Sequence, residues 1–217
     1  MAASDPVQIG CDLLLVHEGT ADGNVLGALM RHATVQGFQL LSMDGQDKMR
    51  RFFKGLALSP HFKNPVPGYE HPVRALAIVL DAETEAGATF QSVRDALTSA
   101  GLPAPDAPGE MLEGPLRVGV FLVPDNQSPG KIEALCLRSV EDDPAWNCLD
   151  GFFNCVRERG GELPANMDKA RAQAFLSTRP EPNLPVGLAA REGYWRFESA
   201  AFGPLITFLR QLSAPGL

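Results

Sequence analysis

Short apolar runs alternate along the chain with longer segments in which apolar residues recur every three or four positions. The runs occupy residues 13–16, 38–43, 75–80 and 118–123, and each has the length of a β-strand. Apolar runs without a polar interruption are typical of strands that are buried on both faces of a parallel sheet. The pattern therefore predicts four strands separated by helices.

Helical spacing follows the strands and dominates the second half of the chain. Apolar residues at this spacing follow the first strand at 25–30 and recur around 90–97, 149–156, 167–175 and 202–209. Strands that alternate with helices imply parallel pairing through right-handed crossovers. We therefore expect an α/β fold, in which a mainly parallel, Rossmann-like sheet of four strands is flanked by helices and followed by a helical C-terminal part.

Length and composition favour a single domain. The chain has 217 residues and no composition shift or Gly/Ser linker, and this length is sufficient for one core. We expect a flexible N-terminus at 1–10 and one domain at 11–217, with an α/β core at 11–140 and a helical extension at 141–217. The proline-rich segments 59–72 and 102–115 should be loops, and 179–185 should be an extended connector.

Charge and hydropathy restrict the possible partners. The net charge of -7 argues against tight unaided binding of nucleic acid, which usually requires a basic face. The apolar runs are far shorter than the ~20 residues of a membrane span. Residues 1–10 lack the basic and apolar regions of a secretory signal. We therefore expect a cytoplasmic protein without a membrane partner.

Acidic residues follow three of the four predicted strands. Glu18 and Asp22 follow the first strand, Asp81 and Glu83 the third, and Asp125 and Glu133 the fourth. The carboxyl ends of parallel strands meet at one edge of the sheet, where open α/β sheets bind ligands. Converging carboxylates repel one another unless a cation neutralises them, and their oxygens suit Mg²⁺ or Mn²⁺. All six residues are therefore candidate metal ligands.

Simpler interpretations exist for several of these residues. Asp22 is well placed to cap the following helix, Asp125 belongs to a Pro-Asp-Asn turn, and Glu133 fits the first turn of a helix. His17 neighbours Glu18 on a strand and should point to the opposite face, so we expect a packed histidine.

The best local group of cations lies on a predicted helix after the second strand and comprises Lys48, Arg50, Arg51 and Lys54. These residues are candidates for binding nucleic acid, although in a chain that is acidic overall such charges more often form the solvated face of a helix. The sequence contains no Walker A motif and no Gly-x-Gly-x-x-Gly turn, so nucleotide hydrolysis and dinucleotide binding have no support.

Two short motifs resemble those of the Toprim family, the catalytic domain of topoisomerases and primases. The strand that ends in Glu18-Gly19, with Asp22 three residues after the glycine, resembles the first Toprim motif, and Asp81-Ala82-Glu83 resembles the second, Asp-x-Asp. The chain is most similar to small stand-alone bacterial Toprim-like proteins related to the nuclease domains of OLD (overcoming lysogenisation defect) proteins. Further similar segments are 45–47, 118–127, 130–133 and 181–187, and the likeness extends from about residue 13 to 212.

This resemblance implies a Toprim-like sheet and a metal-dependent nuclease. Glu18 would be the general acid/base or a metal ligand, and Asp81 and Glu83 would hold Mg²⁺ or Mn²⁺. Lys169 would be the cation that stabilises the transition state. The resemblance also implies a role in defence against phage beside an ATPase of the ABC/SMC class, which could supply contact with nucleic acid. The second acid of the Asp-x-Asp pair is Glu83 here, one methylene longer than the family's aspartate.

Two other functions remain open from the sequence. A Toprim-like module that has lost strict metal geometry could act as a non-catalytic adaptor or sensor in a complex, which the glutamate at position 83 favours. The same sheet could also carry an enzyme that acts on small phosphorylated molecules.

Overall fold

A mostly parallel sheet lies at the centre of the protein, which a computed structural model describes over residues 7–213. The strands are β1 (Leu13–His17), β2 (Phe38–Ser42), β3 (Ala75–Asp81), β4 (Met111–Leu112) and β5 (Arg117–Val123). Their spatial order is β2-β1-β3-β5-β4, and all neighbours pair in parallel except β4, which is antiparallel to β5. The expected α/β class and mainly parallel sheet are therefore confirmed.

The strand number is a correction to the sequence prediction. The sheet of the described residues has five strands instead of four, because β4 forms within the segment 102–115 that was expected to be a loop. Two residues are too few to produce a hydrophobic period, so pattern alone could not reveal this strand. It pairs with β5 at the edge of the sheet, away from β1 and β3.

Eight α-helices surround the sheet in the described part of the chain. They are α1 (Thr20–His32), α2 (Met49–Ala57), α3 (Ala86–Ser99), α4 (Ile132–Arg138), α5 (Trp146–Glu158), α6 (Met167–Leu176), α7 (Val186–Arg191) and α8 (Gly203–Leu212). Helix α7 was not predicted, and the segment before it bends and turns where an extended connector was expected. The helical C-terminal part is present as α5 to α8.

The side chains of each central strand alternate between two cores. In β3, Ala75, Ala77 and Val79 face a core that includes α1 and the C-terminal helices, whereas the alternate residues face α2 and α3. Alternation is the geometric consequence of the strand's two-residue period. Because α5, α6, α7 and α8 share the first core with α1 and β3, the helical C-terminal part packs directly on the sheet.

Both ends of the described chain are attached to this framework. Of the segment 1–10, which was expected to be flexible, residues 1–6 lie outside the described residues, and Ile9 is buried in the second core. At the other end, the buried Arg117 guanidinium donates hydrogen bonds of 2.9 Å to the carbonyls of Gln211 and Leu212. A cation at the C-terminal end of α8 also meets the negative end of the helix dipole.

Within residues 7–213, none of the helices combines the length and the hydropathy that a membrane crossing requires.

Candidate metal centre

Three of the predicted carboxylates converge at the carboxyl edge of the sheet. Glu18, Asp81 and Glu83 each offer one oxygen, and these three oxygens lie within 4.8 Å of one another. The strand register explains the meeting, because His17 pairs with Val79 and β3 continues for two more residues to Asp81. Asp81 at the end of β3 therefore lies beside Glu18, the residue that follows β1.

Asp81 is the most buried of the three acids. Its relative exposure is 7%, and its Oδ1 accepts a hydrogen bond of 2.9 Å from the backbone N–H of Ile132, the first residue of α4. Burial, together with the negative charges of Asp22 and Glu18, raises the pKa of Asp81 to about 8. The protein therefore holds this carboxyl group where its ionised form is costly unless a cation compensates it.

Glu83 is held by an unusual backbone conformation. Its φ is +57°, in the left-handed region that residues other than glycine seldom adopt. Two backbone hydrogen bonds with Gly130 fix it, one from the Glu83 N–H (3.1 Å) and one from the Gly130 N–H (2.8 Å). Gly130 has φ +143°, and a Cβ there would come within 3.2 Å of the Pro124 ring, so glycine is required for this pairing.

Lys131 is the cation that lies beside these acids. Its Nζ is 2.6 Å from Glu83 Oε1 and 3.8 Å from Asp81 Oδ2. Burial alone would lower the pKa of Lys131, but the hydrogen bond with Glu83 and the charge of Asp81 outweigh it and raise the pKa. The ammonium group therefore stays charged and neutralises part of the acidic group.

Gln46 ties Glu18 to the end of β3. Its amide donates to Glu18 Oε2 (3.0 Å) and to the carbonyl oxygen of Asp81 (3.2 Å). Gln46 begins a short 3₁₀ turn (Gln46–Lys48) that leads into α2. Gly45, with φ +119°, precedes the turn, and its N–H donates to the Glu18 carbonyl at 3.2 Å. The segment between β2 and α2 thus fixes the orientation of Glu18.

The other three predicted ligands stand outside this group of oxygens in the described residues. Asp22, in the first turn of α1, accepts a 2.9 Å hydrogen bond from the N–H of the N-cap Gly19 and so satisfies a backbone donor at the start of the helix, in agreement with the helix-cap interpretation. Burial and the charge of Glu18 raise its pKa to about 6, although the Gly19 hydrogen bond acts in the opposite direction. Glu133 lies in the first turn of α4, and its charge contributes to the raised pKa of Asp81.

Asp125 has a structural role. Its carboxylate accepts hydrogen bonds from the N–H groups of Gln127 and Ser128, from the Ser128 hydroxyl and from Arg138 at 2.7 Å. Burial would raise the pKa of Asp125, but these bonds outweigh it and hold the pKa well below its usual range. The carboxylate is already satisfied by its own turn and by Arg138 of α4, and the hydrogen bonds within the turn agree with the turn interpretation.

A cleft of about 620 Å³ opens beside the acids. It is lined by Glu83, by the loop that carries Gly130 and Lys131, and by residues 165–168 at the start of α6. Asn166 caps α6 by accepting a 2.9 Å hydrogen bond from the Lys169 N–H. The Lys169 side chain is exposed on the first turn of α6, next to this cleft, and has no hydrogen bond or ion pair among the described residues.

The predicted basic patch stands on α2 and the turn before it. Lys48, Arg50, Arg51 and Lys54 are all exposed, and none of them forms an ion pair within residues 7–213. Gln46 contacts Glu18 and Asp81, and Lys48, the first residue of the patch, follows Gln46 by two positions. The patch therefore begins close to the acidic group. His17 behaves as a packed histidine, buried at 6% exposure against Gly23 of α1.

Residues 12–214 match a family that is described as "Protein of unknown function (DUF3226)". The chain belongs to this family. The match covers the whole sheet, all of the helices described above, and every residue of the acidic group. No curated protein and no solved structure matches this member of the DUF3226 family.

Sequence reasoning missed two residues of this family member's site, Lys131 and Gln46. The expected resemblance to Toprim-like proteins includes the segments of both residues, 45–47 and 130–133, but a single lysine or glutamine has no periodic or spacing signal. The one available indication was position, since each follows a glycine at the end of a strand-to-helix connection. Their contacts with the acids depend on how those connections fold back over the strand ends.

The raised pKa of Asp81 predicts that stability depends on pH in metal-free buffer. The folded protein keeps a proton on Asp81 up to about pH 8, whereas the unfolded chain releases it near the ordinary value of 3.8, so the free energy of unfolding falls as pH rises between these values. Asp22 acts with the same sign up to about pH 6. We expect Asp81→Asn to be more stable than the wild type by about 2 kcal/mol at about pH 8 and to lose this advantage near about pH 5.

Urea unfolding in EDTA at several pH values measures this difference. Asp106→Asn is the control, because Asp106 is 92% exposed and pairs only with Arg94. A stability difference between Asp81→Asn and the wild type that stays constant with pH would contradict the prediction.

Proposed function

We propose that the protein is a metal-dependent nuclease of the Toprim type, which cleaves phosphodiester bonds. One observation carries the proposal: three carboxylates from two separate strand ends place oxygens within 4.8 Å of one another at the carboxyl edge of a parallel sheet. The two strand ends that supply them bear the motifs resembling those of Toprim domains. The assignment to Toprim-like proteins is part of the proposal.

The chemistry of these residues fits Mg²⁺ or Mn²⁺. All three donors are hard carboxylate oxygens, the type that these cations prefer. The raised pKa of Asp81 reflects burial and repulsion among carboxylates, which a divalent cation would relieve. Glu18, Asp81 and Glu83 would hold the ion. Each has its own support, which is respectively the Gln46 side-chain amide, the Ile132 N–H and the Gly130 backbone, and these supports keep the carboxylates at the same edge. When bound, the ion supplies positive charge that stabilises the phosphoryl oxygens and acidifies water.

The remaining chemistry is assigned to the chain's own groups. Glu18 uses Oε2 to accept from Gln46, and Oε1 has no hydrogen-bond partner among the described residues, so this oxygen is available for the cation or for a proton of the attacking water. Lys131 projects its ammonium group between the acids and the cleft, where it can donate to a non-bridging oxygen of the substrate. A positioned cation stabilises the charge that grows in the transition state.

The surroundings of the site favour a polymeric substrate. The cleft of about 620 Å³ is open to solvent on one side of the acids, and the basic patch on α2 begins on another. Exposed Lys and Arg side chains that lack acidic partners are suited to the phosphates of DNA or RNA. A chain of net charge -7 is a weak binder on its own, which is why the proposal includes an ATPase partner of the ABC/SMC class in defence against phage.

A specific contact favours the second candidate function, a non-catalytic adaptor or sensor. The ion pair of Lys131 with Glu83 and the hydrogen bond from Ile132 to Asp81 attach the start of α4 to the end of β3. The same acids could therefore serve only to fix this connection. Under this alternative, the wild type binds divalent cations no more tightly than variants that lack one of the three carboxylates.

Binding of Mn²⁺ separates the two candidates. We expect calorimetry to detect one class of Mn²⁺ site in the wild type and at least about a tenfold weaker affinity in Glu18→Gln, because a neutral amide is a poorer ligand than a carboxylate. Asp125→Asn is the matched control, since its carboxylate follows β5 but stands outside the acidic group. Equal affinities for the wild type and Glu18→Gln would support the adaptor.

Cleavage tests the nuclease directly. The wild type, alone and with the ATPase encoded beside it, should cleave DNA or RNA in Mg²⁺ or Mn²⁺, and Asp81→Ala should lower the rate by at least about a hundredfold. Cleavage that persists in Asp81→Ala would have to come from a contaminating nuclease and would contradict the proposal. The absence of cleavage by the wild type under all of these conditions would also contradict it.

A pair of lysine variants assigns the transition-state cation. Because Lys131 contacts Glu83 and Lys169 has no contact with the acids, we expect Lys131→Gln to lower the cleavage rate by about a hundredfold and Lys169→Gln to change it less. Urea unfolding of both variants checks that the rate, and not the fold, has changed. A larger loss in Lys169→Gln would return the role to the lysine that the resemblance implies.

A further inference from the structure

A second cavity lies beside β1, on the side of the strand opposite Glu18. Its volume is about 270 Å³, and it stands between β1, β2, α1 and α7. The polar groups that line it are His17, Thr20, Asn24, Arg31, Ser42 and Arg191. None of these residues belongs to the acidic group, and no carboxylate lines the cavity among the described residues.

Two guanidinium groups stand at this cavity without acidic partners. Neither Arg31 nor Arg191 forms an ion pair within residues 7–213. The Arg191 side chain donates a hydrogen bond to Asn24 Oδ1, which holds its guanidinium against α1. Arg31 extends back along α1, where its Nη1 would be 3.8 Å from a Cβ on Gly27. The cavity therefore has a local positive charge in a protein whose net charge is -7.

The position of Arg191 is set by close packing between two helices. At Gly187 of α7, a Cβ would come within 2.7 Å of both the Ala21 carbonyl oxygen and the Asn24 Cβ. Only glycine allows this approach, so α7 lies directly against α1 and carries Arg191 to the cavity. The backbone of this wall is therefore part of the packed structure, and Arg31 and Arg191 extend from it as exposed side chains.

His17 provides an independent indication of a ligand. The side chain is only 6% exposed, lines the cavity, and has an Nδ1 that lacks a hydrogen-bond partner among the described residues. Its ring lies over Gly23, where a Cβ would be 2.7 Å from Nε2. Burial lowers the pKa of His17, so the ring is a neutral hydrogen-bonding group. Buried polar atoms are almost always paired in folded proteins, and the enclosed Nδ1 of His17 is a polar atom at this cavity that the described chain leaves unpaired.

We propose that this cavity binds an anion of the phosphate class. Guanidinium groups match the geometry of phosphate oxygens through paired donors, and the imidazole and the side-chain N–H groups of Asn24 can complete the contacts. The Ser42 hydroxyl is not counted among these donors, because it already donates to Asp44 at 2.8 Å. The phosphate could belong to a nucleic-acid backbone or to a free small molecule such as a nucleotide. The site goes beyond the proposed nuclease activity, because its binding groups require no metal and share no side chain with the acids.

Calorimetry in EDTA tests the cavity with the acidic group kept free of divalent cations. Pyrophosphate and a short single-stranded DNA oligonucleotide are titrated into the full chain and into Arg31→Gln, Arg191→Gln and Arg159→Gln. Arg159 is an exposed arginine after α5 and matches the change of charge. We expect about tenfold weaker binding for each cavity variant and an unchanged affinity for Arg159→Gln.

The two ligands distinguish the source of the phosphate. If both lose affinity in the cavity variants, the site takes phosphates of nucleic acid; if only pyrophosphate does, it takes a free phosphate group. Equal losses in Arg159→Gln, or the absence of saturable binding to the wild type, would overturn the proposal. Asp81→Asn should bind the anions as tightly as the wild type. Failure of the nuclease proposal can therefore be distinguished from failure of the anion-site proposal.

Nuclear magnetic resonance of the histidine rings gives a readout that a general charge effect would not produce. The chain has four histidines, and His32, His61 and His71 serve as internal references. Pyrophosphate should shift the imidazole signals of His17 in the wild type and shift them much less in Arg191→Gln. Unchanged His17 signals at saturating anion would contradict binding in this cavity.

Discussion

The parallel register of β1, β3 and β5 is the constraint on which the rest of the structure depends. Since these strands run in the same direction and pair residue by residue, their carboxyl ends must meet at one edge. Burial on both faces prevents a shift of register, because a slip by one residue would exchange the side chains of the two cores. The acidic group is therefore fixed by the same packing that stabilises the sheet.

The same arrangement also brings carboxylates together, and their mutual repulsion opposes the stability of the fold. The core gains from continuous apolar strands, but the strand ends deliver carboxylates to a partly buried position, where Asp81 has a pKa raised to about 8. Lys131 and the N–H of Ile132 offset part of the cost, and both come from the start of α4. The positive-φ conformation of Glu83 adds backbone strain at the same place. Strain and repulsion concentrated at one edge are typical of functional sites.

The edge has different chemistry on its two sides. Successive residues of an extended chain point to opposite faces. His17, the last residue of β1, therefore lies against α1 at the arginine-lined cavity, whereas Glu18, the next residue, lies with Asp81 and Glu83. The cations of α2 begin two residues after Gln46, which contacts Glu18 and the end of β3. Other exposed cations, such as Lys63 and Arg159, lie elsewhere on the described surface, so the positive charge near this edge is a local feature of a protein whose net charge is -7.

The sequence by itself determined the α/β class, the four longer strands and the carboxylates at their ends, because the two-residue and 3.6-residue periods and the strand-end acids are local features of the chain. It also supplied the helix-cap interpretation of Asp22 and the turn interpretation of Asp125, since both depend on neighbours within four residues. Only the tertiary structure decided which acids meet. Strand order and register place Glu18 beside Asp81, 63 positions further along the chain, and the folding back of two connections adds Lys131 and Gln46. The short α7 and the cavity at His17 likewise depend on packing between distant segments, which no local pattern encodes. The strand β4 pairs with a near neighbour in the chain, β5, but its two residues are too few to produce a hydrophobic period.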